Sequence, residues 1–239
     1  MEIQIIPCLQ DNYSYLIIDK ENNTACVVDP SEADPVIKYL ENNNIKLKFI
    51  LNTHHHYDHV GGNEKLKEKY GASVVGYKGD KERIPKIDIL VNDQETWIYE
   101  NFEAKVIHVP GHTLGHVCFY FYKEQSVFTG DTLFSLGCGR IFEGTYSQMF
   151  NSLMKLKELP QNTKIYCGHE YTKQNSNFCI AHDESNENLK AKIKEIKIKL
   201  KNRMPTIPST IKDELECNIF LRSNNKETFS KLRDLKDNF

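Results

Sequence analysis

The sequence predicts an α+β protein that has two β-sheets and a C-terminal helical domain. Short runs of β-branched and aromatic residues, separated by turn residues, occur in two groups, one before residue 77 and one between residues 95 and 129. After residue 172 the pattern changes to helical spacing. We therefore expect a first domain at residues 1–172 and a helical domain at 173–239. A chain of 239 residues with 39% hydrophobic residues is long enough to bury a sizeable core.

The first group of strands begins with an antiparallel arrangement, because its first three runs are joined by tight connections rich in Asn and Asp. Ser31, followed by acidic residues and Pro35, predicts the N-cap of a helix. Gly71 is expected to end a second helix. In order, the predicted elements are strands at 3–9, 13–18 and 25–29, a helix after 31, a strand at 47–52, a helix at 64–70 and a strand at 72–76.

The second group of strands follows a turn-rich stretch, residues 77–94, to which no element is assigned. Ser147 is the predicted N-cap of a helix with an apolar stripe. The predicted elements are strands at 95–99, 102–108, 116–122 and 126–129, a helix at 147–159, a strand at 164–167 and helices at 173–202 and 226–237.

The charge balance excludes several classes of partner. The chain carries 31 basic and 33 acidic residues, so nothing in its net charge of −2 favours nucleic acid or an anionic membrane. It has no long apolar run, and Glu2 stands where a targeting peptide would carry basic residues. The seven cysteines are odd in number and scattered without a C-x-x-C pair, which favours reduced thiols. We expect a cytoplasmic monomer.

A dense group of metal-ligand residue types follows the predicted strand at 47–52. His54, His56, Asp58 and His59 occupy four of six consecutive positions. Imidazole and carboxylate ligands suit zinc, iron and related ions, whereas structural zinc sites usually contain thiolates. Side chains two residues apart on an extended segment point the same way. The spacing therefore predicts that His54 and His56 hold one ion, and that Asp58 and His59 hold a second.

Three later loops each place one ligand type just past a predicted strand: His112, Asp131 and His169. Together with the first group they make seven ligands, too many for one ion and suitable for two ions that share Asp131. This number disfavours a structural four-ligand zinc site. We predict two divalent ions, with zinc as the first expectation and iron or manganese as alternatives.

The segment THHHYDH at 53–59 contains the H-x-H-x-D-H motif and resembles the metallo-β-lactamase superfamily. The resemblance implies a four-layer αβ/βα fold. It also assigns His54, His56 and His112 to the first metal, and Asp58, His59 and His169 to the second, with Asp131 bridging. Asp58 and Asp131 are the implied catalytic residues, with Asp58 steering the attacking water. Of the other histidines, His116 is expected beside the ligands, His55 is expected to point away, and His108 and His182 are expected to be structural.

Within that superfamily the chain is most similar to glyoxalase II, the hydroxyacylglutathione hydrolases. The matching segments are DNYSY at 11–15, GDTLF at 130–134, GCGRIFEGT at 137–145, CGHEYT at 167–172 and PTIPST at 205–210. The resemblance implies hydrolysis of S-D-lactoylglutathione to glutathione and D-lactate, the second step of methylglyoxal detoxification.

In that family the substrate contacts correspond to Arg140, Phe142, Tyr171, Arg233 and Lys236. Two of these positions depart from the family pattern. Arg140 stands where lysine is usual, which keeps the charge and changes the donor geometry. Phe142 stands where tyrosine is usual, which removes a hydroxyl.

Two alternative functions remain open at this point. A persulfide dioxygenase of the same superfamily uses one iron, and metal stoichiometry and oxygen uptake distinguish it from a hydrolase. A non-catalytic metal-binding protein is disfavoured because seven ligands on open loops leave the ions accessible to substrate.

Overall fold

The computed structural model describes residues 1–239 and divides into two compact units. The first unit comprises Met1–His108 and Gly115–Glu124, and the second comprises Val109–Leu114 and Gln125–Phe239. None of the helices combines the length and the apolar character that crossing a membrane requires. The domain boundary at residue 172 remains a prediction.

The first unit contains a six-stranded sheet in which the strand order follows the chain order. The first three strands are antiparallel, as the tight connections predict, and the later pairings are parallel. The strand at the far edge was not predicted, because it is short and half-exposed within a turn-rich stretch. The six strands are β1 (Glu2–Cys8), β2 (Asn12–Asp19), β3 (Thr24–Val28), β4 (Lys46–Leu51), β5 (Ser73–Tyr77) and β6 (Ile87–Val91).

Three helices of the first unit are α1 (Ala33–Asn42), α2 (Tyr57–Val60) and α3 (Asn63–Tyr70). The N-cap prediction for α1 is wrong: Glu32 occupies that position without a side-chain cap, and Ser31 is buried one residue earlier. The end of α3 is confirmed, because Gly71 adopts the left-handed conformation with φ +66°. Apolar residues of α1 and α3 pack with those of the sheet in one core, which includes Leu16, Val27, Val36, Leu40, Ile50 and Leu66.

The same unit contains a run of three antiparallel strands, β7 (Thr96–Tyr99), β8 (Phe102–His108) and β9 (Val117–Phe121). They coincide with three of the strands predicted after residue 94. Every residue of β9 is buried, which agrees with its continuous apolar run.

In the second unit, β10 (Ser126–Gly130) pairs in parallel with β13 (Lys164–Cys167), and β13 pairs with the short β14 (Ser209–Thr210). A small hairpin is formed by β11 (Leu133–Phe134) and β12 (Gly137–Cys138). Because β10 and β13 are parallel, the segments that follow them leave from the same edge. Asp131 and His169 are in these segments.

Five helices complete the second unit: α4 (Tyr146–Lys157), α5 (Thr172–His182), α6 (Glu187–Lys201), α7 (Ile211–Cys217) and α8 (Lys226–Asp237). Ser147 is not the cap of α4, because Thr145 forms a capping box with Gln148. The helical stretch predicted at 173–202 comprises α5 and α6, and the side chain of Asn186 caps α6. The sequence analysis missed α7, although Thr210 and Asp213 form a second capping box that marks its start.

Candidate metal centre and substrate pocket

The first set of predicted ligands lies on the loop between β4 and α2. His54 is fully buried, and its Nε2 lies 3.1 Å from Nδ1 of His56. Thr53 Oγ1 lies 3.0 Å from the other ring nitrogen of His54 and so fixes the orientation of the imidazole. The two nearest ring nitrogens are therefore placed where one ion could accept both as ligands, as the two-residue spacing predicts.

Asp29, at the end of β3, orients the same loop. Its carboxylate accepts hydrogen bonds from the backbone nitrogen and the hydroxyl of Thr53, both at 2.7 Å, and lies 3.0 Å from His59 Nδ1. Ligand atoms of Asp29, His54 and His59 lie within 4.8 Å of one another. Because the Asp29 oxygens already bind Thr53 and His59 Nδ1, Asp29 orients the ligands and leaves Nε2 of His59 to face a metal.

Asp58 lies next to His59, with 3.5 Å between Asp58 Oδ2 and His59 Nε2. The side-chain amide of Asn12 donates to Oδ2 and to the backbone carbonyl of Asp58, both at 3.0 Å. Asn12 thus fixes the carboxylate from a segment 46 residues earlier in the chain. Asp58 is predicted from the motif, whereas Asn12 and Asp29 lie outside it and their contributions appear only in the structure.

The other histidines occupy the positions expected of them. His55 Nδ1 lies 3.0 Å from the buried carboxylate of Asp80, which also accepts from Arg83, so His55 is turned away from its two neighbours. His116 stacks on His54 with ring centroids 4.7 Å apart. His108 stacks on Tyr77, and His182 packs against Phe178.

The second set of ligands converges on one carboxylate oxygen. Oδ2 of Asp131 lies 3.5 Å from Nε2 of His112 and 3.3 Å from Nε2 of His169. The backbone carbonyl of Arg140 lies 2.7 Å from Nδ1 of His112, where it accepts a hydrogen bond from the ring and leaves Nε2 as the nitrogen available to a metal. All three ligands are buried.

Close backbone packing places Asp131. An added Cβ at Gly139 would lie 1.9 Å from the carbonyl oxygen of Asp131, so only glycine fits there. Gly130, which ends β10, has φ +46° and its carbonyl accepts from the backbone nitrogen of Gly168. These glycines account for the Gly-Asp and Gly-His pairs in the sequence, because they let the loops after β10 and β13 approach closely.

The ligand types in each unit suit a divalent ion that is neither very hard nor very soft as a Lewis acid. The first unit offers His54, His56, Asp58 and His59, and the second offers His112, Asp131 and His169. Cys167, two residues before His169, donates its thiol to the backbone carbonyl of His169 at 3.4 Å, and burial raises the pKa of that thiol to about 12. Imidazole and carboxylate without thiolate is the ligand set of catalytic zinc, iron or manganese sites.

A pocket of about 420 Å³ lies within the second unit. All five residues predicted to contact substrate line it, together with two of the metal-ligand residues. Its lining also includes residues that the sequence analysis did not select, among them Asp237. The lining residues are His112, Asp131, Phe134, Cys138, Arg140, Phe142, Tyr171, Gln174, Asn175, Arg233, Lys236, Asp237 and Phe239.

Two aromatic residues connect the pocket to the metal ligands. The ring of Tyr171 stacks parallel to His169 at a centroid distance of 4.7 Å. Phe142 is 61% exposed and packs edge-on against His112 at 5.2 Å. A substrate that contacts either aromatic ring would therefore lie next to a predicted metal ligand.

Three cations line the pocket, and their environments differ. Arg233 is buried and donates to the carbonyl of Cys138 at 2.8 Å and to Asp237 at 2.8 Å. Arg140 is half-exposed and reaches the same oxygen of Asp237 at 3.3 Å. The ammonium of Lys236 lies 5.3 Å from the ring centroid of Phe178, and burial, followed by the charge of Arg233, lowers its pKa.

Comparison with known proteins gives consistent results over the whole chain. Residues 10–169 match the model of the metallo-beta-lactamase superfamily, and residues 170–239 match that of the hydroxyacylglutathione hydrolase C-terminus. A hydroxyacylglutathione hydrolase of Pelagibacter ubique is 79% identical, with both chains covered completely. The protein of the same name from Methylococcus capsulatus is 43% identical over 97% of this chain and 91% of its own.

A crystal structure of ETHE1 from Myxococcus xanthus superposes with a TM-score of 0.76, covering 98% of this chain and 90% of the other. Its sequence is 23% identical, so the likeness concerns the fold. The match of residues 10–169 to the superfamily model, with the observed sheets and C-terminal helices, confirms the predicted metallo-β-lactamase fold.

Proposed function

Because the chain belongs to the hydroxyacylglutathione hydrolase family of the metallo-β-lactamase superfamily, we propose that it hydrolyses the thioester of S-(2-hydroxyacyl)glutathione. The products are glutathione and a 2-hydroxy acid. The expected substrate is S-D-lactoylglutathione, which gives D-lactate as the second step of methylglyoxal detoxification. The observation that carries this proposal is the pocket, since metal-ligand residues and a cluster of cations line the same cavity.

The two ligand sets offer seven residues, more than one ion uses, and this number supports the binding of two divalent ions. When bound, such ions polarise the thioester carbonyl and lower the pKa of water toward 7. Zinc is the first expectation, and iron or manganese fits the same donors. Asp58, whose carboxylate accepts a hydrogen bond from Asn12, would orient the attacking water.

The cations of the pocket provide the binding of glutathione. The tripeptide carries two carboxylates, and Arg140, Arg233 and Lys236 line the cavity in which it would lie. Tyr171 and Phe142 offer flat apolar surface beside the reacting group. The thiolate product has a pKa near 8.5 and leaves without a strong acid, so the residues need only position the thioester and exclude competing orientations.

We place this activity in the cytoplasm. All seven cysteines are free, buried thiols, as expected in a reducing compartment. We expect the active form to be a monomer that has no nucleic acid or membrane partner. Light scattering on the purified protein checks the oligomeric state.

The decisive test is the hydrolysis of S-D-lactoylglutathione beside a lactoyl thioester of a small thiol, with metal content measured on the same sample. We expect a much lower KM for the glutathione thioester and about two ions per chain. Oxygen consumption with glutathione persulfide, together with a single iron, would support the dioxygenase instead. A protein that binds metal and hydrolyses neither thioester would be a non-catalytic metal-binding protein.

A further inference from the structure

Five backbone polar groups in the turn and the second strand of the β11–β12 hairpin are held by side chains from three C-terminal helices and from Asn218. Ser135 and Leu136 form this turn, and both are buried. Leu136 has φ +58°, a conformation that a leucine adopts only when its surroundings favour it. Buried backbone groups need hydrogen-bond partners, and here protein side chains supply several of them.

The helices α5 and α8 supply three of these bonds. The amide of Asn175 donates to the carbonyl of Ser135 at 3.0 Å, and the thiol of Cys179 donates to the carbonyl of Leu136 at 3.1 Å. Arg233 donates to the carbonyl of Cys138 at 2.8 Å. The contacts involve main-chain atoms, so they set the path of the backbone and do not depend on the hairpin side chains.

The remaining bonds come from Glu214 on α7 and from Asn218 just after it. Oε2 of Glu214 accepts from the backbone nitrogen of Leu136 at 2.8 Å and from the side-chain amide of Asn218 at 2.9 Å. Asn218 in turn donates to the carbonyl of Gly137 at 3.0 Å. Both side chains are fully buried, and the pair joins two consecutive residues of the hairpin.

The hairpin shapes the pocket. Phe134 and Cys138 lie on its two strands and line the cavity. Phe134 also packs edge-on against Tyr171 at 5.3 Å. The chain leaves the hairpin through Gly139 to Arg140, whose carbonyl holds His112. A shift of the turn would therefore move several groups that face the substrate.

We propose that Glu214 is a positioning residue of the substrate pocket, which holds the 135–138 turn and so keeps Phe134, Cys138 and Arg140 in the arrangement that binds the glutathione moiety. This inference rests on the proposed function. Glu214 does not line the pocket itself, so its effect on substrate passes through the hairpin backbone. A small thioester lacks the tripeptide, so its binding depends less on the positions of Phe134, Cys138 and Arg140.

The test uses the full-length, metal-loaded protein and four variants. Glu214→Ala removes the acceptor of Leu136, Glu214→Gln keeps an acceptor oxygen in its place, and Asn218→Ala removes the donor to Gly137. Glu216→Gln is the matched control, because it removes one charge from the same helix at a partly exposed position. KM and kcat are measured for S-D-lactoylglutathione and for the small lactoyl thioester, with metal content recorded for each sample.

We expect Glu214→Ala to raise KM for the glutathione thioester about tenfold, with kcat and hydrolysis of the small thioester changed by less than about twofold. Asn218→Ala should raise the same KM by a smaller factor, and Glu214→Gln and Glu216→Gln should resemble wild type. An unchanged KM in both alanine variants would overturn the proposal. Equal losses on both thioesters would also overturn it, because they would indicate a general structural role.

Asn218→Ala decides the question if Glu214→Ala does not fold. Wild-type protein that fails to hydrolyse the glutathione thioester would reject the proposed function, and this role with it. If the wild type hydrolyses the glutathione thioester and the alanine variants keep its KM, the positioning role of Glu214 is rejected and the proposed function stands.

Discussion

At the scale of single residues, the buried carboxylates differ in how their charge is compensated. Asp29 accepts two hydrogen bonds from Thr53 and lies beside His59, so its charge is matched by donors from the ligand loop. Glu214 is also fully buried, but its donors are neutral amides and the nearby Asp213 is acidic. Burial, the largest effect, therefore raises the pKa of Glu214 to about 7.

This pKa predicts a pH-dependent stability. Below pH 4.5, the ordinary pKa of a glutamate, both the folded and the unfolded chain hold the proton, and Glu214 contributes no difference. Between pH 4.5 and 7 the unfolded chain loses the proton first, so the free energy of unfolding falls as pH rises. Glu214→Gln removes this effect. We expect the unfolding free energy of the variant, relative to wild type, to rise by about 3 kcal/mol from pH 4.5 to 7.

Urea denaturation of both proteins at pH 5 and pH 8 measures the change. Glu216→Gln is again the control, and its difference from wild type should stay within about 0.5 kcal/mol at each pH. A constant difference between Glu214→Gln and wild type at both pH values would show that Glu214 titrates alike in the folded and unfolded chain.

At the scale of secondary-structure elements, α8 presents two cations that have different roles. Arg233 is buried, and its guanidinium also lies 5.2 Å from the ring centroid of Phe220, so it belongs to the packing of the unit as well as to the pocket. Lys236 is three residues further along the helix and lines the same cavity. Its ammonium lies against the ring of Phe178, whereas Arg233 donates to the backbone carbonyl of Cys138. The pair was expected to act on substrate only, and the structure adds a structural role for Arg233.

Replacing each cation by methionine, which keeps an apolar stem, should separate these roles. We expect Lys236→Met to raise KM for the glutathione thioester about tenfold and to leave thermal stability nearly unchanged. Arg233→Met should raise KM as well, and should lower the unfolding free energy by about 1–3 kcal/mol, because the buried carbonyl of Cys138 loses its donor. Steady-state kinetics and urea denaturation give the two quantities. Equal stabilities of the two variants would contradict the structural role of Arg233.

At the scale of the whole molecule, folding brings the members of each ligand set together from distant parts of the chain. In the second unit, His112, Asp131 and His169 come from three separate loops, and their ligand atoms converge only in the folded state. An ion that binds there binds the folded chain and not the unfolded one, so metal binding is linked to stability.

Removal of the metal by a chelator should therefore lower the melting temperature, and the size of the change should depend on the free metal concentration. At a free zinc concentration 100 times the dissociation constant, the expected stabilisation is about 2.7 kcal/mol. Asp131→Ala should lose most of the metal and show little response to added zinc, whereas the exposed His182→Ala should behave like wild type. Calorimetry of the metal-free and zinc-loaded forms measures the shift. An Asp131→Ala protein that retains two ions per chain would show that the ligand assignment is wrong.

The sequence by itself determined the fold family and most of the strands, and it predicted the ligand set, because these predictions depend on local patterns. Alternating or continuous apolar runs predict strands, and the spacing of His54, His56, Asp58 and His59 is readable within six positions. The helix boundaries that it missed at Thr145 and Thr210 also have local signals, in the form of capping boxes.

Only the tertiary structure decided which side chains support those ligands and shape the pocket. Hydrogen bonds join Asp29 to Thr53, Glu214 to Leu136 and Arg233 to Cys138. The partners are separated by 24, 78 and 95 residues in the sequence. The spacing of a single chain contains no signal for such pairs, because a hydrogen bond between distant segments depends on how the sheets and helices pack. The buried Glu214 looks, in sequence, like any polar position on a helix, and the partners of Glu214 and Arg233 appear only once the chain is folded.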